Sequence, residues 1–140
     1  MHYTKNNDNY ILRLEPGEEL HATLTKFCEA QHITGGWISG LGGARAVELA
    51  SFDMSTKQYT TKLFTGHVFE VTNFTGNIAV GKIHIHMTIG DHDFKAYAGH
   101  CNKAVADPTL EVIITPLQEL RRALDEYCGL QLLALSETMQ

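Results

Sequence analysis

Eight histidines in 140 residues are the feature of this chain most able to do chemistry, and two of them stand one residue apart. From Gly81 to Ile89 the residues alternate, with Lys82, His84, His86 and Thr88 at even positions and Ile83, Ile85, Met87 and Ile89 at odd ones. In a strand, residues two apart share a face. His84 and His86 therefore stand side by side while the isoleucines enter a core. Neutral imidazole is a good zinc ligand, and three protein ligands with one open position form the usual catalytic arrangement. An H-x-H pair also arises by chance from strand alternation, so the reading turns on a third ligand.

His100 is the candidate. It ends the segment Phe94–His100, expected to return beside the first strand across the turn Gly90–Asp93. Paired residues in a regular antiparallel hairpin have numbers with a constant sum. An even sum, for instance the 184 that pairs His84 with His100, puts all three imidazoles on one face. An odd sum turns His100 to the isoleucine side. A metal site thus demands an odd-numbered loop or a bulge, and Gly99 would permit close backbone approach. His92 reads as a turn residue, His21 and His2 as solvated, His32 as a helix-end residue, and His67 stays undecided. Glu70 and Glu111 each interrupt an apolar strand. Each is either a solvated edge residue or an acid/base partner of the metal.

These groups need elements to position them. Tyr10–Leu14 reads as a strand closed by Pro16-Gly17. Leu20, Leu24, Phe27 and Cys28 mark a helix over Glu18–Gln31, with Glu18 and Glu19 complementing its dipole. Strand-like runs follow at Ile33–Leu41, Val47–Asp53, Tyr59–Phe64, His67–Phe74, Ile78–Ile89, Phe94–His100 and Leu110–Thr115. Leu117, Leu120, Ala123, Leu124 and Tyr127 have helical spacing before Gly129, and Leu130–Leu135 closes as a strand. The expected class is α+β: one domain over residues 10–136, a mainly antiparallel twisted sheet flanked by helices, with residues 1–9 and 137–140 as tails. The glycines of Ile38–Gly43 lack the spacing of a phosphate loop.

Composition narrows the partners. Hydrophobic residues make up 44%, and the net charge is −5 with histidines neutral. The basic residues are scattered, whereas nucleic-acid binding needs a basic patch, so a nucleic-acid partner is not expected. No apolar run is long enough to span a bilayer, and the polar start lacks a signal-peptide pattern, so a cytoplasmic location is expected. Cys28, Cys101 and Cys128 have no C-x-x-C spacing and read as buried thiols.

The chain resembles a known family, the plant and prokaryote conserved (PPC) domain, which is also catalogued as a domain of unknown function. The resemblance rests on Arg13-x-x-x-Gly17-Glu18, Ile38-Ser-Gly-Leu-Gly42, Phe69-Glu70-Val71 with Gly76-Asn77, and His84-x-His86. It continues in Gly99-His100, Leu110-Glu-Val-Ile113 and Arg122-x-x-Asp125-x-x-x-Gly129-Leu130. It implies a homotrimer with zinc held by His84, His86 and His100, and a regulatory or small-ligand-binding role. Plant members carry an AT-hook, whose Arg-Gly-Arg core is missing here, and Ala98 stands where the family commonly has glycine. The family's DNA-binding label therefore has no support from these residues. The fold is similar to that of acetolactate decarboxylase, which makes a zinc-dependent enzyme acting on a small carbonyl or carboxylate the alternative reading.

Overall fold

A computed structural model of the chain describes residues 1–136. Its elements, in chain order, are β1 (His2–Asn6), β2 (Asn9–Leu14), α1 (Leu20–Ala30), β3 (Gly35–Asp53), β4 (Gln58–Phe64), β5 (Phe69–Ala79), β6 (Lys82–Gly90), β7 (Ala96–Leu117), β8 (Arg121–Leu124) and β9 (Gln131–Ala134). Seven strands form one antiparallel sheet in the order β1-β2-β7-β6-β5-β3-β4, and β7 also pairs with β3. That extra pairing closes β7, β6, β5 and β3 into a ring. Closure is the standard way for such a sheet to remove strand edges. The ring encloses Ile38, Phe74, Ile78, Ile85, Met87, Ile89, Leu110, Val112 and Ile114, all buried.

The expected α+β class with one dominant antiparallel sheet agrees with this architecture. The run Ile78–Ile89, however, is split at the Val80-Gly81 turn between β5 and β6, and β5 runs on through Gly76-Asn77. The element list differs in three further ways. First, Ile33–Leu41 and Val47–Asp53 are parts of one 19-residue strand, and Phe94–His100 and Leu110–Thr115 are joined in a 22-residue strand that begins at Ala96. The glycines of Ile38–Gly43 bend the strand instead of ending it. Gly42 has φ +138, and a Cβ at Gly40 would lie 2.3 Å from the Phe74 ring. Register shifts at these glycines and around Arg45–Leu49 let β3 curl and change partners.

Second, the helix expected around Leu117–Tyr127 is absent, and the sheet is flanked by one helix among the described residues. Arg121–Leu124 and Gln131–Ala134 form a separate two-stranded hairpin. Leu124 and Tyr127 are 63% and 82% exposed, so their helical spacing serves no core. The turn between them has its own chemistry. Asp125 Oδ1 accepts the Cys128 N–H at 2.9 Å, Asp125 O accepts the Gly129 N–H at 2.7 Å, and Gly129 takes φ +76. Third, residues 1–9, read as a tail, include β1, an edge strand paired with β2 from His2–Arg13 to Asn6–Asn9. Asn7, with φ +53, supplies the tight turn between them. The expected tail 137–140 lies outside the described residues.

Helix α1 packs Leu20, Leu24, Phe27 and Cys28 against the sheet, as their spacing predicts. It starts two residues later than expected because Glu19 is its N-cap. The Glu19 carboxylate accepts the His21 and Ala22 N–H groups at 3.2 and 2.7 Å. Partial burial opposes ionisation of Glu19, yet the His21 side chain and these backbone N–H groups outweigh it and hold the carboxyl down to about 2. Cys28, Cys101 and Cys128 are buried and unpaired. Burial pushes the thiols of Cys28 and Cys101 up to about 11 and about 12, which leaves them protonated and inert. No helix is long and apolar enough to cross a membrane among the described residues.

Candidate metal centre

The third histidine depends on the β6–β7 hairpin. The structure pairs His86 with His100, Met87 with Gly99 and Gly90 with Ala96, a constant sum of 186. The sum is even, so His100 lies on the His84/His86 face, directly opposite His86 and one pair along from the illustrative 184. The loop is odd-numbered, as the metal reading requires, and Asp91 builds it. Asp91 Oδ1 accepts the Asp93 and Lys95 N–H groups at 2.9 Å each, its Oδ2 accepts the Tyr97 hydroxyl at 3.0 Å, and Phe94 takes φ +60. Behind His100, the backbone at Gly99 runs so close to β3 that a Cβ there would lie 2.6 Å from Ala50 O.

The three imidazoles meet. Ring centroids are 5.1 Å apart for His84–His86, 4.9 Å for His84–His100 and 5.5 Å for His86–His100. One nitrogen from each lies within 4.8 Å of the others. Tetrahedral zinc with Zn–N bonds of about 2.0–2.1 Å holds its nitrogens about 3.3 Å apart, so small side-chain rotations close the set. The donors fit such an ion in a second respect: His100 Nδ1 is buried with no hydrogen-bond partner among the described residues. Burial, followed by the charges of His100, Arg122 and His86, pushes His84 down to about 4. Burial and His86 also lower His100. Both rings are thereby kept in the neutral form that ligates metal.

Two of the other residues singled out in the sequence are not brought to the triad. Glu70 pairs with Gly90, four residues along β6 from His86, a separation of about 13 Å at 3.3 Å per residue. Glu111 pairs with Leu41, nine residues along β3 from the Ala50 that faces His100, and shares a separate surface hollow with His2, Ile11 and Arg13. Both carboxylates are exposed. His67 instead packs on Phe69 and His92, with centroids at 4.1 and 4.7 Å. His21 is half-buried, not solvated, with Nδ1 3.6 Å from Glu19 Oε1.

What sequence reasoning missed is Arg122. Its Nη2 lies 3.2 Å from His84 Nδ1 and donates to Asn77 Oδ1, and its Nη1 donates to Gln131 O at 2.8 Å. The helical spacing of Leu117–Tyr127 hides its position, whereas hairpin β8–β9 carries it over the histidine face, and the family pattern Arg122-x-x-Asp125 is the signal in the sequence that marks it. Beside the triad lies an open cleft of ≈ 320 Å³. His84, His100, Tyr59, Lys82, Arg122 and Gln131 supply its polar lining, and Ile83, Leu130 and Leu132 its apolar rim.

Comparison with known proteins identifies the family. Residues 1–118 match the model of the Plants and Prokaryotes Conserved (PCC) domain. The chain belongs to this family. Among solved structures, a protein of Bacteroides thetaiotaomicron whose name proposes DNA binding is 29% identical, with TM-score 0.88 and coverage of 95% of this chain and 96% of that one. A metal-containing protein of Archaeoglobus fulgidus is 28% identical, with TM-score 0.83 and 96% of each chain covered. A PPC protein of Pyrococcus horikoshii is 21% identical at TM-score 0.84, covering 98% and 97%. Among curated proteins, the bifunctional protein GlmU of a Synechococcus strain is 22% identical over 113 residues. That match spans 80% of this chain but 18% of GlmU.

Proposed function

We propose that this PCC domain is a metal-binding module that holds zinc through His84, His86 and His100 and presents an open coordination position to a small ligand. The observation that carries the reading is the convergence of three imidazole nitrogens within 4.8 Å on one face of β6 and β7. An all-nitrogen set of three with a vacant fourth position suits zinc. The metal-containing Archaeoglobus relative is consistent with it. Protein purified without an affinity tag should contain about one zinc per chain by elemental analysis, and His84→Ala should lose it. Unchanged zinc in that variant would remove the site.

The module is proposed to work as a homotrimer. Ile11, Trp37, Leu41 and Ile113, each 40–52% exposed, are carried by β2, β3 and β7. An exposed apolar face of this kind is the usual mark of a protein interface.

The cleft beside the triad favours a second reading, an enzyme. A bound zinc would supply Lewis-acid polarisation of a small carbonyl or carboxylate substrate, as the fold analogy with acetolactate decarboxylase suggests. The distances of Glu70 and Glu111 from the triad weigh against them as its acid/base groups. A DNA-binding role, proposed in the name of the Bacteroides relative, is disfavoured by a net charge of −5. Absence of DNA binding at low salt would end it.

A further inference from the structure

The chain has four arginines. Three are matched to carboxylates: Arg13 to Glu15 at 2.8 Å, Arg45 to Asp107 at 3.4 Å and Arg121 to Glu119 at 2.8 Å. Arg122 is the exception among the described residues. It is half-buried, and its partners are a side-chain amide oxygen, a backbone carbonyl and an imidazole, all neutral. Lys82 lines the same cleft, and no carboxylate does among the described residues. A half-buried guanidinium without a counter-anion, at the wall of an open cleft, is a site awaiting a negative charge.

The contact with His84 adds a second argument. Arg122 Nη2 can only donate, so His84 Nδ1 accepts with its lone pair. A neutral imidazole has one such pair. Ligation of a metal through either ring nitrogen therefore excludes this hydrogen bond and frees one N–H of Arg122 beside the cleft.

We infer that the cleft binds a small organic carboxylate, with Arg122 gripping the carboxylate and the metal position taking a second oxygen of the same molecule. This deepens the metal reading and rests on it. The planar fork of arginine matches a carboxylate in bidentate fashion. The apolar rim of Ile83, Leu130 and Leu132 gives the ligand's carbon atoms a surface that inorganic phosphate could not use. The cleft's ≈ 320 Å³ lies at the small end of ligand pockets and admits a small organic acid.

The test loads the full chain with cobalt(II), measures cobalt per chain, and then titrates pyruvate, its uncharged amide and inorganic phosphate. Binding is followed by the cobalt visible spectrum and by calorimetry. Pyruvate is expected to bind one per chain, at least tenfold more tightly than the amide or phosphate. Arg122→Gln should keep one cobalt per chain, weaken pyruvate at least tenfold and leave the amide unchanged, with Arg122→Lys intermediate. Equal affinity for pyruvate and its amide in the wild-type chain overturns the inference whether or not the variants fold. So does unchanged pyruvate affinity in a folded Arg122→Gln, while phosphate binding as tightly as pyruvate overturns the carboxylate assignment. Failure of cobalt to bind is seen before any anion is added and counts against the metal reading alone. Pyruvate is then titrated into metal-free protein, where Arg122→Gln must still weaken it.

Discussion

Burial, followed by the charges of His100, Arg122, His86 and His21, pushes His84 down to about 4, against an ordinary 6.5. The unfolded chain therefore holds a proton on this ring more tightly than the folded one. Stability from this residue is present above pH 6.5 and is lost as pH falls through about 4. His100 is shifted in the same direction. Metal-free protein should thus show a falling urea midpoint between pH 6.5 and 4. His84→Gln, which retains an acceptor for Arg122, should flatten that decline, and parallel pH profiles for the two proteins would contradict the assignment. Gly99 is the other decisive residue at this scale. A methyl group there meets the Ala50 carbonyl at 2.6 Å, between two backbones that cannot yield independently. Gly99→Ala is expected to cost about 1–3 kcal/mol, read from denaturant midpoints, and to lower zinc content by displacing His100.

Among the elements, the β6–β7 hairpin decides the site. Alternation placed His84 and His86 on one face without any knowledge of the fold, because a strand's side-chain period of two is local. The face of His100 depends on the parity of the connecting loop, which Asp91 organises through three hydrogen bonds. Asp91→Ala should lower the melting temperature of the domain in thermal melts. It should also weaken zinc binding more than Asp93→Ala, whose carboxylate only meets exposed Lys95 at 3.2 Å. Hairpin β8–β9 makes the opposite case. Its Leu and Ala spacing imitates a helix, and Gly129, which belongs to the turn, reads locally as a helix stop.

For the molecule as a whole, ring closure hides most strand edges but leaves the apolar face of β2, β3 and β7 uncovered. Thr75 pairs with both His86 and Ser39, and Ser39 pairs with Ile113, so a lateral row of residues joins the triad to that face. Sedimentation should give a trimer mass, and Ile113→Asp with Leu41→Lys should reduce it to monomer while leaving the circular dichroism spectrum unchanged. A wild-type monomer at micromolar concentration would refute the assembly.

Local chemistry in the chain determined the α1 face, the H-x-H pair, the inert thiols and a sheet-dominated class, since each follows from side-chain period or residue type within a few positions. It also narrowed the third ligand to His100 and stated the register condition for it. The tertiary structure alone decided that β3 and β7 run unbroken, that Glu70 and Glu111 stand apart from the triad, and that Arg122 arrives over it from a distant hairpin. These outcomes depend on pairings between residues tens of positions apart, and no local period encodes which backbones will meet.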